Sequence, residues 1–337
     1  MRPRLQRAPL PKLLAHAAHR SHTKTENLGN FASALASLVE LQNALADGDR
    51  DGRHSPTLAH NYFPGKLHHL WKCSSGASER VAIPFKLYQD YLIVVHGSVG
   101  TLEGLNFLID TGANATSIDR KIARKLELRG HDAKLAVLDG KVRVERVVLP
   151  RLQIGSIRAE SLPGLVQDLS FVDTLVGVRI DAIVGLDFLR RNSFTVDYES
   201  QKMVFGPIEA TASEVPFRTT APMVTVDVRV NGEAVKLLVD TGTQNLLLFE
   251  RQLPNGLRRL PTRDVRRSFN SDSTSFETKE VVLSKIQLGT ANLFPRKAFL
   301  TDGNAYFDQS FDGTLGPASL GLKWIAFDFE RGGFGWR

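Results

Sequence analysis

The sequence predicts an all-β body of two homologous lobes, and three observations lead there. From about Ala82 to the C-terminus, short β-rich runs alternate with Gly, Pro, Asn and Asp, the texture of strands joined by turns. Within this body, "VVLPRLQIG" (Val147 to Gly155) returns as "VVLSKIQLG" (Val281 to Gly289) at an offset of 134, and "FTVDYES" (Phe194 to Ser200) has its counterpart in "IAFDFER" (Ile325 to Arg331). A period of that size marks a duplicated domain, because solenoid units span roughly 20–50 residues. Finally, "FLIDTG" (Phe107 to Gly112) and "LLVDTG" (Leu237 to Gly242), at an offset of 130, each drive three apolar positions into Asp-Thr-Gly.

Taken in order, residues 1–81 read as a basic, partly helical N-terminal segment. Positions 1–80 hold 11 Lys/Arg, 6 Asp/Glu and seven of the nine histidines. Phe31, Leu35, Leu38, Val39 and Leu45 fall at helical spacing before Gly48, which predicts one amphipathic helix. The run "KLLAHAAH" is too short and polar for a secretory core, so no export signal is apparent. His68, His69 and Cys73 lack the second pair that a zinc-finger spacing requires, and they read as solvated loop. The first lobe is expected over 82–207, a linker ("IEATASE") over 208–214 and the second lobe over 215–337.

Composition bounds the function. A chain of 337 residues, 42% hydrophobic and 23% charged, has material for two domains with their own cores. Cys73 is the only cysteine, so no intramolecular disulfide can form. No stretch approaches the roughly 18 apolar residues of a membrane-spanning helix. Of the net charge of +7, positions 1–80 carry +5, so the body is nearly neutral and its arginine pairs are scattered. That argues against a nucleic-acid partner.

The paired triplets carry the chemistry. A carboxylate at the end of an apolar run costs desolvation free energy unless partners or function justify it. Two at corresponding places in two repeats suggest that they meet. Each copy also has a short, largely apolar step into glycine, Ile183-Val184-Gly185 and Thr314-Leu315-Gly316, and each glycine follows its own aspartate at nearly the same offset, 75 and 76. A lone Asp-Thr-Gly is more often a strand-ending turn; duplication with matching approach and matching downstream glycine favours a functional pair.

Together these motifs resemble the aspartic peptidases of the retropepsin and pepsin clan, and "GLDFLRRNSFTVDYESQKMVF" is similar to bacterial retropepsin-like lobes in particular. The resemblance covers roughly Ala82 to Arg337. It implies two retropepsin-like β-barrel lobes with a cleft between them and a catalytic dyad of Asp110 and Asp240, with no cofactor and no metal. Two nearby carboxylates cannot both ionise cheaply, so they keep one proton between them and divide the roles of base and acid. Gly112 and Gly242 permit close approach of the two loops. By the same resemblance, Thr111 and Thr241 exchange hydroxyl-to-backbone hydrogen bonds, and Gly185 and Gly316 lie in the segments packed behind the loops.

A flap is expected at "LAVLDGKVRVERVVL", with Asp139-Gly140 as a tight-turn signal followed by Lys141, and a second, more polar one at "RRSFNSDSTSFETKEVVL". The implied substrate is a peptide or protein. With both aspartates on one chain, a monomer suffices. The N-terminal segment resembles prosegments that place a lysine over the dyad, with Lys66 and Lys72 as candidates, or else is a flexible leader. Two other readings stay open: a duplicated module that grips peptides without cleaving them, and an aspartyl-phosphate enzyme, which the missing lysine of an Asp-Lys-Thr-Gly loop disfavours.

Overall fold

The computed structural model describes residues 80–137, 140–209, 211–218, 223–269, 275–293, 296–302 and 311–337. The helix expected over Phe31–Gly48, the candidate lysines Lys66 and Lys72, the His68, His69 and Cys73 group, and Asp139 lie outside the described residues.

The body is mostly strand, as its alternating runs require. Each lobe is organised around one topological device. In the first lobe, strand Leu102–Ile109 leads into the Asp110 loop, and strand Ser117–Asp119 leads out of it. Strand Ala182–Val184 inserts between them, parallel to the incoming strand and antiparallel to the outgoing one. The second lobe repeats this: Gly313–Leu315 lies parallel to Glu233–Val239 and antiparallel to Leu246–Phe249. The loop bearing each aspartate must therefore cross over the end of a third strand.

The lobes are joined by a six-stranded antiparallel sheet in the spatial order Val81–Pro84, Lys202–Phe205, Phe194–Asp197, Trp324–Asp328, Gly333–Trp336, Glu214–Arg218. The first three strands belong to one repeat and the last three to the other. Glu214, the last residue of the expected linker, already pairs with Gly335. At the centre of this sheet Phe194 faces Phe327, Thr195 faces Ala326 and Val196 faces Ile325. Alternation buries Phe194 and Val196 on one face, where Phe194 stacks on Phe327 at 4.8 Å and also touches Phe205 and Phe329.

A few short helices sit among the strands of this mostly β body. Short helices at Arg120–Lys125 and Ser170–Val176 interrupt the first lobe. Asp119 caps the former by accepting from the Lys121 amide, and Val172 and Val176 of the latter are buried. Strands His131–Val137 and Gly140–Ile154 pair with Val137 opposite Gly140 and Ala136 opposite Lys141, so the connection is at 138–139. Gly140 is the first residue of the second strand and Lys141 the next. The second hairpin, Asp264–Phe269 with Ser275–Leu283, is present as expected.

The aromatic centre of the interlobe sheet generates a stability prediction. Phe194→Ala should cost about 3–5 kcal/mol, the range for emptying a fully buried ring site. Urea denaturation followed by tryptophan fluorescence measures it; a loss below about 1 kcal/mol would mean that this sheet does not hold the lobes.

Candidate active site

The two Asp-Thr-Gly loops come together at the lobe interface, above the inserted strands. Each loop is pinned from below: the Asp110 amide donates to Val184 O at 3.0 Å and the Asp240 amide to Leu315 O at 3.0 Å. The inserted strand then ends in glycine for a steric reason. A Cβ on Gly185 would lie 2.8 Å from Ala113 O and 2.9 Å from Ala115, and one on Gly316 would collide with Thr243 O. Both loops pass too close for any side chain there.

Across the interface the threonines bond reciprocally. The Thr111 amide donates to Thr241 Oγ1 at 3.1 Å and the Thr241 amide to Thr111 Oγ1 at 3.0 Å. Each hydroxyl in turn donates across the interface, Thr111 Oγ1 to Val239 O at 2.8 Å and Thr241 Oγ1 to Ile109 O at 3.1 Å. All four bonds are buried and cross from one repeat to the other, so each loop is the other's template.

The same approach brings the carboxyls together. A Cβ on Gly112 would fall 2.5 and 2.6 Å from the two Asp240 oxygens, and one on Gly242 2.9 and 3.0 Å from those of Asp110. Glycine at these places is what lets each carboxyl rest against the opposite loop. Asp110 Oδ1 accepts the Gly112 amide at 2.8 Å and Asp240 Oδ1 the Gly242 amide at 2.7 Å. The Oδ2 atoms, fully buried, take no bond from the surrounding described chain.

Burial shifts both carboxyls in the same direction. Burial raises Asp110 well above the ordinary carboxylate range, and the neighbouring Asp240, by its charge and by hydrogen bonding, raises it further. Asp240 is pushed up to about 6 by burial, against the opposing pull of its hydrogen bonds with Asp110 and the Gly242 amide. Such a pair can offer a base and an acid at once.

Thr111, Gly112, Thr241, Gly242, Gly185 and Gly316 therefore all gather around Asp110 and Asp240. The first hairpin contributes Val144 to a buried cluster with Ala113, Ala115, Leu108 and Ile183. Gly140 and Lys141 lie further out along that hairpin.

Three residues near the pair carry no signal that sequence reasoning used. Asp187, behind the first loop, accepts from the Thr116 amide at 2.9 Å and the Thr116 hydroxyl at 2.7 Å, while Gly185 N donates to Thr116 Oγ1 at 3.2 Å. Burial raises Asp187 despite these donors. A carboxylate inside the apolar run "IVGLDFL" could have pointed to it. The second repeat has Leu246 and Ala318 at these places, so only the first loop is anchored this way. Tyr91 and Tyr198 are the others. Burial pushes both phenols up, with the Asp240 charge adding to it, so both stay protonated near the pair. No periodicity distinguishes a tyrosine of this kind from a core aromatic.

A protein-family model described as "Aspartyl protease" matches the chain twice, over residues 95–188 and 226–323, together more than half of its length. Each match contains one of the aspartates and its downstream glycine. Among curated proteins, none matches the chain significantly. No helix of the described residues is long and apolar enough to cross a membrane.

The interface bonds and the raised carboxyls each lead to a measurable effect. Thr111→Val removes one donor and one acceptor from the buried exchange and should cost about 2–4 kcal/mol, whereas Thr111→Ser should stay within about 1 kcal/mol; thermal denaturation of both variants checks the difference. The pH dependence has a definite sign. Carboxyls raised above their unfolded value of about 4 bind more protons folded than unfolded, so they lower stability as pH rises through about 4 to 6. Relative to Asp110→Asn/Asp240→Asn, the natural protein should lose stability between about pH 4 and about pH 7 in urea denaturation; parallel curves would show that the pair is not raised.

Proposed function

The chain belongs to the aspartyl protease family, and from that premise we propose that it is an aspartic endopeptidase whose Asp110 and Asp240 hydrolyse peptide bonds. The single observation that supports this most is the pairing of two buried, proton-sharing carboxyls, one from each repeat, by loops that hold each other.

The chemistry follows from the shared proton. With one carboxyl ionised and the other protonated, the pair holds a water between them. The ionised group takes a proton from the water as its oxygen attacks the scissile carbonyl. The protonated group supports the charge that develops on the carbonyl oxygen, and a proton then passes to the departing amide nitrogen. The amides of Gly112 and Gly242 keep each carboxyl oriented without neutralising it. Asp187 acts as a positioning residue: it holds Thr116 and, through it, the end of the first loop.

A second reading, a peptide-gripping module without turnover, draws on the complete burial of both carboxyls, since a water and a peptide must reach them. Hydrolysis of a mixed peptide library separates the two. The proposal expects cleavage that is lost by at least about a thousandfold in Asp110→Asn and in Asp240→Asn. Its rate should peak where one of the two carboxyls is ionised and decline at higher pH as the second, raised carboxyl loses its proton. Peptide binding without cleavage at any pH from about 3 to 8 would establish the silent module instead.

A further inference from the structure

The internal repeat permits a comparison that no single lobe would: the same face of the same sheet, built twice with different chemistry. Side chains alternate along a strand, so Leu108 shares a face with Asp110, and Leu238 with Asp240. Phe107 and Ile109, on the other face of the first lobe, belong to the main core, while Leu108 belongs to a separate cluster. Residues directly opposite on neighbouring strands lie on the same face. In the first lobe Leu108 is flanked by Val94 and Ile183. In the second, Leu238 is flanked by Thr225 and Thr314.

The change from apolar to polar continues across the face. Ala113 becomes Thr243, Ala115 becomes Asn245, and Val144 of the first hairpin becomes Thr278 of the second. All five first-lobe residues are buried in one apolar cluster, to which helix Ser170–Val176 contributes Val172 and Val176. Of their counterparts, Thr225, Thr243, Thr278 and Thr314 are all buried. Val94 to Thr225 and Val144 to Thr278 are near-isosteric exchanges, so at these two places polarity changes with little change of shape. Burying hydroxyls where the other repeat buries methyls works against folding stability. A stable core gains nothing from it, whereas a surface that meets a polar ligand does. Thr314 points the same way: it is fully buried, and its Oγ1 has no hydrogen-bond partner among the described residues.

We propose that the site reads the two sides of its substrate differently, taking an apolar side chain against the first lobe and a hydroxyl- or amide-bearing side chain against the second, where Thr314, with Thr225 beside it across Leu238, supplies the hydrogen-bonding group. The inference rests on the peptidase reading above and adds the substrate class. It requires no new chemistry, only that an unpaired buried hydroxyl and a polar side chain satisfy each other, while an apolar side chain would leave the hydroxyl unpaired.

The test uses four peptides that differ only at the two positions flanking a central bond, Leu-Leu, Leu-Asn, Asn-Leu and Asn-Asn, because leucine and asparagine are close in size. Both kcat/KM and the dissociation constant are measured for the full chain and for Thr314→Val and Thr225→Val, each checked for an unchanged melting profile. One of the two mixed peptides should be preferred over Leu-Leu by about tenfold, and each valine variant should shift that ratio toward Leu-Leu. Preference for Leu-Leu in the natural chain, or a ratio unmoved by both variants, overturns the inference and leaves the peptidase standing. Selective binding of a mixed peptide with no turnover supports the inference and overturns the peptidase. Neither binding nor turnover of any of the four overturns both.

Discussion

Two carboxyls buried side by side repel each other and have both lost their hydration, and everything near them serves to hold that arrangement against separation. Desolvating an acid is costly unless it is hydrogen-bonded or protonated. Here the four threonine bonds across the interface supply the opposing force, because every one of them is lost if the lobes part. The inserted strands stiffen the loops from beneath and the interlobe sheet fixes their separation. The glycines follow from this constraint rather than from flexibility, since the space where each Cβ would stand is taken by the opposite carboxyl.

The joining sheet shows how the repeat maintains symmetry without identical residues. Thr195 faces Ala326, its own counterpart at an offset of 131, so the local two-fold relation runs between these two residues. Phe194 and Ile325 are equivalent by sequence, as are Val196 and Phe327, and each pairs with the other's partner. Each strand therefore carries one phenylalanine ring, at a different equivalent position, and the two rings face each other at the same end of the pairing. Phe194 with Phe327 is thus the large cross-strand pair and Val196 with Ile325 the small one, so volume is matched between the strands and not between the pairs.

Much of this is legible in the sequence because its cause is repetition. The duplicated triplets, the offsets near 130 and the downstream glycines are each local patterns, and their agreement locates the loops and their supports. Legibility fails where the cause is tertiary. Asp187 reads as an ordinary polar residue in an apolar run until Thr116 is brought beside it. Tyr91 and Tyr198 come near Asp240 only once the lobes are joined. Gly140, which the Asp-Gly signal assigns to a turn, opens the second strand opposite Val137, because register is set over the whole hairpin.

The order of strands in the joining sheet also has a meaning in time. Strand Gly333–Trp336 lies inside the sheet, between Trp324–Asp328 and Glu214–Arg218, yet it is the last of the six to be made. At about 5–20 residues per second on the ribosome, the first lobe has on the order of ten seconds to fold before Trp324–Asp328, the strand it pairs with, is complete. During that interval Asp110 has no second acid to contend with, and its own strands can set without electrostatic conflict. The conflict begins only when the second half docks, so a nascent chain carries one half of the acid pair and none of its repulsion.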